Sequence, residues 1–320
     1  MSIVNPLTMD RELQALGVGI LAVLIVATVV GEILARRAGS DAARATISNL
    51  NDRVRAWWVM VAVLALALLT GRTGAALLFM GVSFLALREF VTLAPTRHGD
   101  HRALLWIFFV VTPVQYWLVW RDWYGLFAIF IPVFVFLLVP GRVALAGDTE
   151  DFLARTAVIQ WGLMICVYCV SYAPALLMLN ANGEGGGAKL LLFLLIVVQG
   201  SDVLQYIWGK LIGRHKIAPL VSPNKTWEGF LGGVASATLL GTALWWLTPF
   251  QPWQAALMAL VIALMGFSGG LTMSAIKRDR GVKDWGRMIE GHGGMLDRLD
   301  SVIFAAPIFF HVTRWLWSTT

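Results

Sequence analysis

Ten apolar runs, near residues 13–35, 57–70, 75–93, 103–120, 123–140, 157–179, 189–208, 229–247, 254–276 and 301–317, constrain this chain before any motif does. Most approach or exceed the roughly 20 apolar residues that cross a bilayer as a helix. Backbone polar groups in hydrocarbon must be satisfied within the segment, so runs of this kind fold as helices. The expected fold class is all-α: a polytopic integral membrane protein of about nine to ten transmembrane helices. Of 320 residues, 58% are hydrophobic and 14% charged, with mean hydropathy +0.73, which excludes a soluble globular protein. The first run is long enough to be retained, and no basic region precedes it, so no cleavable signal peptide is expected.

The cations are distributed unevenly. Counting connections alternately, all of the 25 Lys and Arg residues except Arg11, Arg72, Arg121, Lys189 and Arg314 fall on one side. The positive-inside rule makes that side cytoplasmic and places both termini outside. A bacterial inner membrane suits this pattern. The net charge of +6 then reflects cytoplasmic loops, and nucleic acid is not an expected partner. Trp57, Trp58, Trp106, Trp117, Trp120, Trp123, Trp245, Trp246, Trp315 and Trp317 stand near span ends, as an interfacial belt does. Between residues 38 and 51 a mixed segment reads as a short surface helix. The glycine-rich stretch 180–189 reads as a flexible outside loop. Cys166 and Cys169 form C-x-x-C inside an apolar run, where they read as small packing residues, not a redox pair. His98-Gly99-Asp100-His101 lacks a further ligand set nearby and reads as a solvated loop.

Two polar regions interrupt this pattern. Ser274 to Ser301 places Lys277, Arg278, Arg280, Lys283, Arg287 and Arg298 among Asp279, Asp284, Glu290, Asp297 and Asp300, around a Gly291-His292-Gly293-Gly294 turn. A topology signal needs the cations but has no use for the acids. Carboxylates hold Mg²⁺, cations take phosphate oxygens, and glycines let backbone N–H groups approach an anion. Asp297 and Asp300 share a helical face if the next helix begins there. Upstream, Asp202 lies within or at the end of an apolar run, with Gln199 and Tyr206 on its helical face. It is expected to face a polar cavity or a cation, with simple snorkelling or pairing to Lys210 as the alternative. Ser222-Pro223-Asn224-Lys225-Thr226-Trp227-Glu228-Gly229 follows, preceded by Gly213, Arg214, His215 and Lys216.

Ser274, Lys277-Arg278, Lys283-Asp284, Gly286, His292-Gly293-Gly294 and Asp297-Arg298-Leu299-Asp300 stand at the spacing of the phosphatidate cytidylyltransferase (CDP-diglyceride synthase) signature. The Ser222–Gly229 block resembles that family's S-P-x-K-T-x-E-G. The resemblance covers about Gln199 to Ser301; the first half matches only in being polytopic, with a loosely similar Arg88-Glu89-Phe90. Two positions depart: Glu290 replaces the usual Pro before the glycine turn, and Asn224 stands where Lys is more usual. Residues 1–180 are therefore taken as an N-terminal transmembrane half, and 181–320 as the catalytic region.

The resemblance implies that the phosphate of phosphatidate attacks the α-phosphorus of CTP, giving CDP-diacylglycerol and pyrophosphate. Two polyanions must meet, so charge neutralisation and alignment are the main tasks. Asp202, Asp284, Asp297 and Asp300 form the pool of Mg²⁺ ligands, a second cation being allowed. Lys216, Lys225, Lys277, Arg278, Lys283 and Arg298 are expected to hold phosphates, helped by the hydroxyls of Ser222 and Thr226. His292 either stabilises the leaving pyrophosphate or holds its turn. CTP, a membrane lipid phosphate and the membrane are the expected partners, with a homodimer as an option. An anionic-lipid transporter or flippase, or a cytidylyltransferase for another lipid phosphate, are the competing readings. The D-G-x-x-A-R pattern of CDP-alcohol phosphotransferases is absent.

Overall fold

The computed structural model describes residues 11–37, 40–179, 186–286, 288 and 293–317. Ten long helical passages run through the described residues. They are α1 (Arg11–Arg37), α2 (Asp41–Leu69), α3 (Gly71–Leu93), α4 (His98–Trp120), α5 (Tyr124–Ala144) and α6 (Phe152–Met178). The second half holds α7 (Gly186–Ile212), α8 (Trp227–Ala243), α9 (Pro252–Asp279) and α10 (Leu296–Trp317). Eight of these, all but α2 and α8, are long and apolar enough to cross a membrane. The chain is an all-α, multi-pass membrane protein. Its one sheet among the described residues is a ribbon of β1 (Lys216–Ala218) and β2 (Ser222–Thr226), antiparallel, with Lys216 opposite Thr226 and Ala218 opposite Ser222.

Helix ends follow local chemistry. Thr226 is the N-cap of α8, its Oγ1 accepting from the Gly229 N–H at 3.2 Å. Pro252 opens α9, where its missing N–H costs nothing. Passages α4, α5 and α6 each contain a π-helical segment: Ile107–Val111, Phe130–Val135 and Met164–Cys169. Pro132 lies within the second, where it has no N–H to give the helical ladder.

Three expectations change. The short surface helix and second apolar run are one helix, α2, whose charged first half continues without a break into its apolar second half. The apolar run at 229–247 forms only 17 residues of helix, ending at Ala243 before a tight turn at Trp245–Leu247. The His98–His101 segment is not simply a solvated loop. Asp100 is fully buried, pairs with Arg155 Nε at 3.1 Å and accepts the Arg97 N–H at 2.9 Å. Desolvating those two charges is tolerable because they are paired. Cys166 and Cys169 are free thiols packed in α6, as expected. Of the glycine-rich stretch, residues 180–185 lie outside the described residues.

Helix α10 is central. It packs along α9 and also against α3, α6 and α7. Its aromatic flank joins the core, with Phe309 stacked on Phe193 and Phe310 edge-on to Phe127 and Tyr172. Contact with α9 is close because the facing positions are small. A Cβ at Gly269 would stand 2.4 Å from the Asp300 carbonyl. Small residues that let helix backbones approach are the usual means of helix packing in lipid, where the hydrophobic effect gives no preference. That close approach brings the polar residues of α10 to α9 and α7.

Candidate active site

The site forms where α7, β2, the end of α9 and the start of α10 meet. Two carboxylates build its floor. Glu89, near the end of α3, accepts the Met295 N–H and the Leu296 N–H, each at 2.9 Å. It caps the first turn of α10 from another helix, satisfying donors that the helix cannot satisfy itself. Asp297 accepts the Trp285 and Gly294 N–H groups at 2.9 Å each, and Lys277 Nζ donates to its other oxygen at 2.7 Å. This folds the segment after α9 back onto α10. Gly293 sits in that fold with φ +80°, a left-handed conformation that favours glycine, and a Cβ there would stand 2.7 Å from Asp297 Oδ2.

A second pair of carboxylates lies beside the floor. The Ser301 hydroxyl donates to Asp202 Oδ2 at 2.7 Å and lies 3.4 Å from Asp300 Oδ1. Asp202 comes from α7 and Asp300 from α10, so two spans bring like charges to one hydroxyl. Lys225, from β2, stands in their field. Burial pulls its ammonium below the ordinary lysine range, while Asp202 and Asp300 partly restore it. Its Nζ lies 4.5 Å from the centroid of Phe267. Gly270 keeps the space between these groups open. A Cβ there would stand 3.1 Å from Lys225 Nζ, 3.7 Å from Ser301 Oγ and 3.9 Å from Asp300 Oδ2.

The structure thus brings together Asp202, Asp300 and Lys225, with Asp297 and Lys277 alongside. Arg298 is half-buried at the same turn, its carbonyl accepting from Gln199 Nε2 at 3.3 Å. Lys283 and Asp284 are exposed on the segment after α9, and Asp284 Cβ lies 3.6 Å from the place a Cβ at Gly293 would take. Arg278 is exposed and ties the ribbon to that segment, donating to the carbonyls of Val221 at 3.2 Å and Val282 at 3.1 Å. Lys216 is exposed on β1, Ser222 half-buried on β2, and Thr226 is engaged as a helix cap. His292 and Glu290 lie outside the described residues, as does Arg287. Asp202 does not pair with Lys210, which sits over the Tyr206 ring at 5.8 Å; Tyr206 points outward. Glu228 pins the strand entry instead, with His215 Nδ1 at 2.5 Å and the Arg214 N–H donating at 3.0 Å.

Among the described residues, no three of His, Cys, Asp and Glu converge as a cage for a metal ion. The four-carboxylate pool therefore divides. Asp297 spends both oxygens on a lysine and two amides, whereas Asp202 accepts the Ser301 hydroxyl and Asp300 accepts that hydroxyl and the Ser301 N–H, at 2.8 Å, on one oxygen, Oδ1. A Mg²⁺ ion needs only one or two carboxylates when water and substrate phosphates complete its shell, and the Asp202–Asp300 pair fits that need. Glu89 entered the sequence reading only within the loosely similar Arg88-Glu89-Phe90, with no role at the site. An acid near the end of an apolar span was the signal, since such a group is costly without a task.

The model of the cytidylyltransferase family matches residues 51–316. An uncharacterized protein of Escherichia coli, YnbB, is 40% identical over 297 residues, covering 92% of this chain and 96% of the relative. A phosphatidate cytidylyltransferase of Staphylococcus epidermidis is 37% identical over 145 residues, 45% of this chain and 56% of that enzyme. One from Staphylococcus aureus matches over the same extent.

Proposed function

Because the chain belongs to the cytidylyltransferase family, we propose that it transfers the cytidylyl group of CTP to phosphatidate or a related lipid phosphate. An oxygen of the acceptor phosphate attacks the α-phosphorus, the bond to the β-phosphate breaks, and pyrophosphate leaves. The observation that carries this reading is the meeting of Asp202 and Asp300 beside Lys225 in a space kept open by Gly270. A phosphate dianion is already nucleophilic, so the residues need to align and neutralise two polyanions.

Asp202 and Asp300 would hold Mg²⁺, which when bound supplies charge stabilisation at the phosphoryl oxygens. Lys225 would bind a phosphate oxygen across the opening. Lys277 is neutralised by Asp297, so its part is to set the turn rather than to meet substrate. Exposed Lys283, Asp284, Arg278 and Lys216 would meet the nucleotide from outside. Ser222, Thr226, Arg298 and His292 remain proposed contributors of hydroxyl, cation and imidazole. By the cation distribution, this end of the molecule faces the cytoplasm, where CTP is available.

The test is to incubate the purified protein with CTP, Mg²⁺ and a panel comprising phosphatidate, lysophosphatidate and a polyprenyl phosphate. The expected result is a CDP-lipid formed with one pyrophosphate per turnover. No CDP-lipid from any acceptor would overturn the reading, and lipid scrambling in liposomes would then favour a transporter.

A further inference from the structure

Two neighbouring residues near the end of α3, Glu89 and Phe90, reach the site end of α10 from the other half of the chain. Glu89 is buried and accepts one amide on each oxygen, Met295 N–H on Oε1 and Leu296 N–H on Oε2. Phe90 stacks on the ring of Trp285, centroids 5.5 Å apart, and Trp285 gives its main-chain N–H to Asp297. Phe90 is itself seated on α6, where a Cβ at Gly162 would stand 2.5 Å from its ring. The end of α3 therefore holds both the start and the finish of the 285–296 segment.

Two glycines of that segment answer to Glu89. A Cβ at Gly294 would stand 2.4 Å from Glu89 Oε2, and one at Gly286 would stand 2.8 Å from Oε1. Neither glycine has a positive φ, so what they supply is space. Among the described residues, the amides of Trp285, Gly294, Met295 and Leu296 all go to Asp297 or Glu89. The anions at the positive end of the α10 dipole are thus the protein's own carboxylates. Asp300 lies about one helical turn beyond Leu296. Where Glu89 fixes the helix therefore sets the place of Asp300 against Asp202 on α7.

We propose that Glu89 is a positioning residue of this site, clamping the first turn of α10 so that Asp300 stands opposite Asp202 and Lys225 as transfer requires. The proposal rests on the cytidylyl-transfer reading for the step that is served, and it gives the N-terminal half a part in that step. Buried behind the amides of Met295 and Leu296, Glu89 acts through the main chain, so its loss is felt in alignment more than in binding. Glutamine is no equivalent. Its single oxygen takes one amide, and its NH₂ then meets the second N–H.

The experiment uses the full chain in detergent, with kinetics, melting and amide exchange measured on the same samples. In Glu89→Gln, kcat well below the melting temperature is expected to fall roughly 10²-fold, the scale of an ångström of misplacement, with the KM for CTP within about threefold of the parent. Exchange of the 295–300 amides, read by mass spectrometry, should quicken, while that of α7 should not. Glu89→Asp, one methylene short, is the milder variant should Glu89→Gln not fold, and a kcat loss of roughly tenfold is expected. In Gly294→Ala the new Cβ pushes on the carboxylate, so kcat should also fall roughly tenfold, and adding that change to Glu89→Ala should cost nothing more. Parent kcat in both Glu89→Gln and Glu89→Asp, even with a lowered melting temperature, unchanged exchange, or additive losses in the double variant would each overturn the proposal. If the parent transfers nothing to any acceptor while exchange quickens as described, the placement of Asp300 by Glu89 stands and the cytidylyl reading alone fails.

Discussion

The two ends of α10 are both polar, and they use polarity differently. At the far end, hydrogen bonds run one way. The Tyr168 hydroxyl donates to the Ala128 carbonyl at 2.7 Å, and the Tyr172 hydroxyl donates to Tyr168 at 2.7 Å. His311 Nε2 must then donate to Tyr172, at 3.1 Å, while its Nδ1 is hydrogen-bonded to the Tyr124 hydroxyl at 3.4 Å. The chain of hydroxyls terminates in a main-chain oxygen. Arg314 lies on the Tyr124 ring, 3.7 Å from its centroid. At the site end, Asp202 and Asp300 are like charges sharing one hydroxyl, with a lysine in their field. A network that closes on itself holds helices together; one left with unspent acceptors is made to bind cations and phosphates.

The sharpest way to break this contrast is Asp300→Asn. An amide keeps the shape and loses the charge, so turnover is expected to fall about 10³-fold, the scale of several kcal/mol of charge stabilisation. Size-exclusion behaviour should be unchanged. A rate within tenfold of the parent would show that the pair is not the reacting centre. Asp297→Asn should act through the fold instead. It leaves buried Lys277 without its counter-charge, a loss of about 3–5 kcal/mol, read as a lowered melting temperature. Activity measured well below that temperature should fall less than in Asp300→Asn, and the reverse ranking would mean that the two roles are exchanged.

A gentler probe uses Lys225. Because burial lowers its pKa, the alkaline limb of the kcat/KM profile should lie below the ordinary lysine range, where the ammonium loses its proton. In Lys225→Arg that limb should move to higher pH, since a guanidinium stays charged; an unmoved limb would assign it to another group. The smallest effect belongs to the far end. Tyr172→Phe removes both the acceptor for His311 and the donor to Tyr168, costing about 1–3 kcal/mol of stability. Turnover should stay within twofold of the parent, and a large loss would mean that the far network reaches the chemistry.

Much of this was legible in the chain. Apolar runs located the spans because lipid forces each segment to satisfy its own backbone. Mixed charge between Ser274 and Ser301 marked the segment that carries Lys277, Asp297 and Asp300 of the candidate site. What stayed hidden was the difference between Asp297 and Asp300. Both are acids on one face of one helix, and only the residues that α9, α7 and β2 bring to them separate a clamp from a binding pair. Glu89 was hidden for the same reason, lying 206 residues from the amide it caps. The fusion of the surface segment with the second apolar run was hidden because Arg53 and Arg55 interrupt an apolar pattern without interrupting a helix. Alternation of charge sets depth in a membrane, not helix length.

The central claim is that Asp202 and Asp300, not Asp297, offer carboxylate oxygens to a divalent cation. Titrating Mn²⁺ into the parent and its variants with CTP present, and following protein-bound Mn²⁺ by electron paramagnetic resonance, tests it directly. The account predicts that Asp202→Asn and Asp300→Asn each lose the bound Mn²⁺ signal, whereas folded Asp297→Asn and Tyr172→Phe retain it. Parent-like Mn²⁺ binding in Asp300→Asn, or its loss only in Asp297→Asn, would contradict it.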